Sequence, residues 1–142
     1  MFLISFPIII SAIYGGFNLD FSAYIGILIW VVGFFFETVG DIQLRHFISK
    51  PENKGKIMTE GLWKYTRHPN YFGEVTQWWG IFIIVTTLPY CYVSLVGPLT
   101  ITYLILKVSG IPMLEKKYDD NPEFQEYKKK TNAFFPWFPK KD

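Results

Sequence analysis

The amino-acid sequence predicts an all-α protein: a single multi-pass membrane domain of about four helical spans, with amphipathic C-terminal helices at its cytoplasmic face. Composition and charge placement point there. Of 142 residues, 50% are hydrophobic and 20% aromatic, which suffices for one domain in a chain too short for two. Charged side chains are costly at the centre of a bilayer, and here they leave three long gaps. None occurs from Met1 to Leu19, from Phe21 to Phe36, or from Val75 to Leu106. Lys and Arg are confined to two segments, 45–67 and 107–141. With 14 Lys+Arg against 12 Asp+Glu, the net charge is too small to hold nucleic acid by its phosphates, and no nucleic-acid partner is expected. Cys91 is the single cysteine, so no internal disulfide forms. With only His46 and His68 as histidines, no metal site is expected.

The first gap predicts a helix over about residues 1–16. It lacks a basic n-region and a small-residue cleavage site, and so reads as a membrane helix rather than a removable leader. The second gap predicts a helix over 22–40. The third runs 32 residues; as one helix it would be about 48 Å long, well over the roughly 30 Å hydrocarbon core. It therefore divides into spans 70–87 and 90–108 at Thr86-Thr87-Leu88-Pro89-Tyr90, where proline removes a donor and disfavours helix before it. Four crossings put both basic segments on one face. The positive-inside rule makes that face cytoplasmic, with both termini and the 41–69 connection.

Ser49 to Lys56 is polar and turn-rich, an expected exposed loop. Beyond Lys107, Gly110-Ile111-Pro112 breaks the fourth helix and opens a short one. Asn121-Pro122-Glu123 starts another with a cap followed by proline. Phe134-Phe135-Pro136-Trp137-Phe138-Pro139 with Lys140-Lys141 has the character of a membrane-interface anchor.

Glu37 and Asp41, spaced i, i+4 at the inner end of the second helix, share one face, and Gln43 and Arg45 follow within a turn. They either mark the helix end in the aqueous interface or line a cavity and accept hydrogen bonds from a ligand. Asp41 is then the candidate contact, and Glu37, one turn deeper, the candidate for an ion pair or proton handling. Pro69 suits the first turn of a helix, whose free amides, beside the donor fork of Arg67, favour a phosphate. Asn70 and Glu74, again i, i+4, can offer an amide and a carboxylate to one carboxamide. His68 is as apt to fix the backbone before Pro69 as to touch a ligand. Glu115, Tyr118, Tyr127 and Lys128 either line a solvated helix on the headgroups or form a lid over a cofactor held by Arg67.

The run GLWKYTRHPNYFGEVTQWWG (Gly61 to Gly80), with Glu37, Asp41 and Gln43 before it and the tail VSGIPMLEKKYDDNPEFQEYKKKTNAFFPWFP after it, resembles the C-terminal domain of the steroid 5-alpha-reductase family, bacterial branch. The resemblance extends from about Gly33 onward. It implies an integral-membrane reductase that binds NADPH in a cytoplasm-facing cavity and passes hydride to a conjugated double bond of a lipid-like, steroid- or isoprenoid-like substrate. By matching position it implies that Asp41 and Arg45 contact the nucleotide and that Arg67, with His68, supplies the basic group. It also implies that Asn70, Tyr71 and Glu74 lie near the nicotinamide end, and that Glu115, Tyr118 and Tyr127 serve from the tail.

The family's substrate-activating Glu and Tyr lie on helices upstream of this region and have no counterpart here. The chain thus resembles a cofactor-binding half. The stand-in acids at membrane depth are Tyr24 and Glu37, of which Glu37 is the candidate catalytic acid, and a second chain is a candidate source of the missing helices. Isoprenylcysteine carboxyl methyltransferases share a similar RHP segment and tail glutamate. The alternatives are therefore a membrane methyltransferase using S-adenosylmethionine and a non-catalytic nucleotide-binding membrane module.

Overall fold

The structure, a computed structural model, describes residues 3–16 and 20–140. The regular elements among them are all helical: α1 (Phe6–Tyr14), α2 (Phe21–Ile48), α3 (Pro69–Ile84), α4 (Cys91–Ser94), α5 (Val96–Tyr103), α6 (Ile111–Lys116) and α7 (Pro122–Lys130). Short 3-10 turns occupy Pro51–Asn53 and Gly61–Lys64, and a π-helical turn follows α5 at Leu104–Val108.

Two helical runs, Phe21–Ile48 and Cys91–Lys116, are long and apolar enough to cross a membrane. The nine residues of α1 and sixteen of α3 give only about 14 and 24 Å of helix. The four expected spans therefore correspond to two long apolar runs and two shorter helices. Met1 and Phe2 of the first expected span, Lys141 of the expected anchor, and both chain termini lie outside the described residues.

Helix α2 opens on Asp20, whose carboxylate accepts a hydrogen bond from the Ala23 amide at 2.9 Å. Hydrogen bonds from Thr87, Ser22 and that amide hold this carboxyl down at about 2. The helix then continues to Ile48, eight residues past its expected end near 40. Nothing breaks it until Pro51, which holds Lys50 in an extended conformation (φ −86°, ψ 122°). Glu37, Asp41 and Gln43 accordingly project from the body of α2 rather than from its end, and Arg45 stands in its last turn.

The central contact is an antiparallel seam between α2 and α3, built on glycines seven residues apart: Gly26, Gly33 and Gly40 on one helix, Gly73 and Gly80 on the other. A methyl group on Gly33 would sit 2.7 Å from the Gly73 carbonyl oxygen and from the Gln77 amide nitrogen; one on Gly26 would sit 2.6 Å from the Gly80 oxygen. Small residues let the two backbones touch, and that contact is the main packing force available between helices in lipid. On the far side of α3, Val75 packs with Ile101, Ile105, Ile111 and Phe134, and the Trp79 indole donates to Thr102 Oγ1 at 3.2 Å. Trp78 and Trp79 are thus packing residues. The turn after α3 falls where the proline motif puts it, with Tyr90 in the left-handed region (φ 60°).

Both tail helices begin as their sequences require. Proline stands in the first turn of α6 and of α7, and the Asn121 side chain caps α7 by accepting from the Phe124 amide at 3.1 Å.

Candidate functional site

The segment Trp63 to His68 joins α2, α3 and the tail. The Trp63 indole donates to the Gly40 carbonyl at 3.1 Å, and Gln43 accepts the Leu62 amide at 2.9 Å. The tail then folds back along the same segment. The Arg67 amide donates to the Asn132 carbonyl (2.9 Å), Thr66 Oγ1 to the Phe134 carbonyl (2.8 Å), and the Trp137 amide to the Tyr65 carbonyl (2.9 Å). Tyr127, buried, donates its hydroxyl to the Trp63 carbonyl. Burial pushes that phenol well above its ordinary value, an effect the nearby Arg67 offsets only in part. The tail is thus a strap fastened through its own backbone, which is more than the solvated helix or free lid its composition suggests.

Beneath the strap lies a buried charge network. Arg67, 7% exposed, donates from Nε to Glu115 Oε1 at 2.8 Å, and from Nη1 to the carbonyls of Lys128 (3.2 Å) and Thr131. His68 Nε2 lies 3.1 Å from the same Glu115 oxygen, and Lys128 Nζ lies 3.5 Å from the other. Sequence reasoning makes Arg67 a phosphate ligand. In the fold, Nε and Nη1 of its fork already hold Glu115 and the strap.

Next to this network is a cavity of about 220 Å3. It brings together six of the residues singled out from sequence: Arg67, His68, Asn70, Glu115, Tyr118 and Tyr127. Its apolar walls come from the end of α2, from Ile57 and Met58, and from Phe124. Lys56 and Trp63 also line it and were not foreseen. The trace in the sequence is the apolar pair Ile57-Met58 in an otherwise polar connection, a place where a loop turns inward.

The remaining candidates lie elsewhere. Asp41 Oδ1 accepts from Asn70 Nδ2 at 3.1 Å, while Asn70 Oδ1 accepts the Tyr71 amide at 3.0 Å. Tyr71 stacks on the His68 ring at 5.6 Å. Glu37 accepts from the Gln77 side-chain Nε2 across the seam, and Glu74 lies within electrostatic reach of Glu37 and Asp41. These carboxylates form a second polar neighbourhood along α2 and α3, joined to the cavity through Asn70. Arg45 is exposed on α2 and lines neither.

Among curated proteins, the chain is 31% identical over 74 residues to the "Very-long-chain enoyl-CoA reductase" of Dictyostelium discoideum, a match covering 52% of this chain and 25% of that protein. It is 46% identical over 46 residues to the "Probable O-methyltransferase ustE" of Ustilaginoidea virens, covering 32% of this chain and 16% of the other. Both similarities are partial: the chain spans about a quarter of the first relative and a sixth of the second. No solved structure matches. The family model described as "Protein of unknown function (DUF1295)" matches residues 1–131, and the chain belongs to that family.

Proposed function

We propose that this chain is the membrane-embedded, cofactor-binding part of a reductase that uses NADPH on a conjugated carbon–carbon double bond of a lipid-like substrate, steroid- or isoprenoid-like in character. The observation that carries the reading is the cavity, where Arg67, His68, Asn70, Glu115, Tyr118 and Tyr127 meet under the strap. The partial similarity to an enoyl-CoA reductase and the resemblance of the RHPNY segment to the steroid 5-alpha-reductase family support it.

At about 220 Å3 the cavity is smaller than the roughly 300–1,000 Å3 of pockets that enclose a whole drug-sized ligand. Its residues fit one end of a dinucleotide, with apolar walls for a flat ring and a rim of amide, imidazole and phenol. NADPH, when bound, supplies the hydride. In this reading Asn70 and Glu74 orient its carboxamide, Asp41 fixes Asn70, and Glu37 delivers a proton to the substrate's carbonyl oxygen as charge develops there. Helices supplied by a second chain complete the substrate pocket.

The test compares binding of NADPH, NADH and S-adenosylmethionine to the detergent-purified chain. The reductase reading expects NADPH to bind. It also expects Glu37→Gln to keep that binding while losing oxidation of NADPH by an enone lipid. S-adenosylmethionine binding alone would reject the reading in favour of a membrane methyltransferase, the second reading, which the 46%-identical stretch favours. NADPH binding with no turnover of any enone would leave a non-catalytic nucleotide-binding module.

The topology belongs to the same proposal: four crossings, with both termini and the 41–69 connection cytoplasmic. Its support is the outer face of α2, where Leu28, Val31, Phe34 and Phe35 stand exposed as a broad apolar surface suited to lipid. Glu52→Cys, on the exposed loop after α2, is expected to react with a membrane-impermeant thiol reagent from the cytoplasmic side only. Labelling from outside would reject the arrangement.

A further inference from the structure

Beside the cavity, a cleft of about 400 Å3 opens between the end of α2 and the loop that follows it. The two share Ile48, Lys56 and Tyr118 as walls, so they form one continuous concave surface. The cleft is lined by Lys50, Lys54 and Lys56, and by no Asp or Glu. Glu52 lines a different hollow beside His46, together with Glu60, and Lys50 borders both hollows. Among the described residues none of the three lysines forms an ion pair, whereas Lys128 and Lys129 both do.

The backbone that carries these lysines is fixed. The Asn53 side chain donates from Nδ2 to the Phe47 carbonyl at 2.9 Å, pinning the loop to α2. Three successive turns then close it, from the Asn53 amide to the Lys50 carbonyl (3.0 Å), Lys54 to Pro51 (3.2 Å) and Lys56 to Asn53 (3.0 Å). Gly55 supplies the left-handed step (φ 82°) that brings the chain round. Three cationic side chains around one cleft with no carboxylate in its lining favour an anionic occupant. A phosphate monoester, near −2 in charge at neutral pH, is the compact group that ammonium point charges suit. The ring of Tyr118, on the shared wall, offers a face on which a base can stack.

We infer that this cleft seats the 2′-phosphate by which NADPH differs from NADH, with the rest of the nucleotide running past Tyr118 into the cavity. The inference rests on the reductase reading above and adds to it the residues that select the nucleotide. Lys50, Lys54 and Lys56 are exposed, so replacing them leaves the fold intact.

The experiment measures equilibrium binding of NADPH, NADH, adenosine 2′,5′-bisphosphate and AMP to the full chain in detergent. The parent is expected to bind NADPH at least about tenfold more tightly than NADH, and the bisphosphate more tightly than AMP. The double variant Lys50→Ala/Lys54→Ala, at two cleft lysines that do not line the cavity, should lose that preference, bringing NADPH to the level of NADH while NADH itself stays within about twofold. Lys50→Arg/Lys54→Arg should retain it. A parent that does not discriminate, or an alanine double variant that still does, overturns the inference and leaves the reductase reading standing if NADPH binds. Absence of NADPH binding altogether overturns both.

Discussion

Gly33→Leu is expected to prevent the protein from reaching its folded state, with a loss upwards of about 3 kcal/mol, at or beyond the usual cost of overpacking. The reason lies in what the first added carbon would meet: the Gly73 carbonyl oxygen and the Gln77 amide nitrogen, each at 2.7 Å. Both are backbone atoms of a helix and cannot rotate aside as a side-chain tip can. Relief requires α2 and α3 to separate along their whole length, giving up contacts at Gly26 and Gly40 as well. Gly16, whose added methyl would meet nothing within 4 Å, is the matched control. In detergent, size-exclusion profiles recorded after a temperature ramp should show Gly16→Ala melting with the parent and Gly33→Leu aggregated throughout. A Gly33→Leu protein that melts with the parent would mean that the seam does not hold the helices together.

Glu115→Ala is expected to cost about 3 kcal/mol, the lower end of what is lost when one partner is removed from a buried ion pair. The lower end applies because Lys128, the third partner of this carboxylate, is itself 41% exposed and is solvated once released. Arg67 and His68 have no such escape: both are less than 10% exposed, and Arg67 would be left charged with only carbonyl oxygens before it. The visible result should be a loosened strap. Limited proteolysis is expected to cut after Lys128, Lys129 or Lys130 in Glu115→Ala at protease levels that leave the parent whole, while the α2–α3 pair survives. Glu115→Gln, which keeps an acceptor for Arg67 Nε but no charge, should fall between the two. Equal resistance of parent and Glu115→Ala would show that the strap is held by its backbone bonds alone.

What the sequence reveals of this molecule is what local chemistry decides. Pro69, Pro112 and Asn121-Pro122 start helices because a missing amide hydrogen and a fixed φ act within one turn, and each start lies where the sequence puts it. The end of α2 lies eight residues beyond the expected one, because the charges after Phe36 do not mark a helix terminus. Asp41 and Gln43 are polar for another reason: they bind Asn70 and the Leu62 amide across the fold. The glycine seam was present as a seven-residue period, yet a search for apolar stripes passes over residues that have no side chain. Six candidates do converge on one cavity. The use made of Arg67 was illegible, since its partner Glu115 stands 48 residues away and no local rule joins them. The three lysines of the loop read in the sequence as part of a basic, cytoplasm-facing segment, and only the fold sets them around a single cleft.

The fastening of the strap to the Thr66–Arg67 segment also sets an order in time. The two sides of that junction, Arg67 and Asn132, are separated by 65 residues (132 − 67), which a ribosome adds in roughly 3 to 13 s at 5–20 residues per second. Once α3 is complete at Ile84, α2 and α3 can find each other along their glycines, while Arg67 still waits for Glu115 and then for the strap. The cavity is therefore completed after the α2–α3 pair, because its lining extends to Tyr127. A nascent chain that ends before Glu115 would pair α2 with α3 while Arg67 still lacks its carboxylate partner.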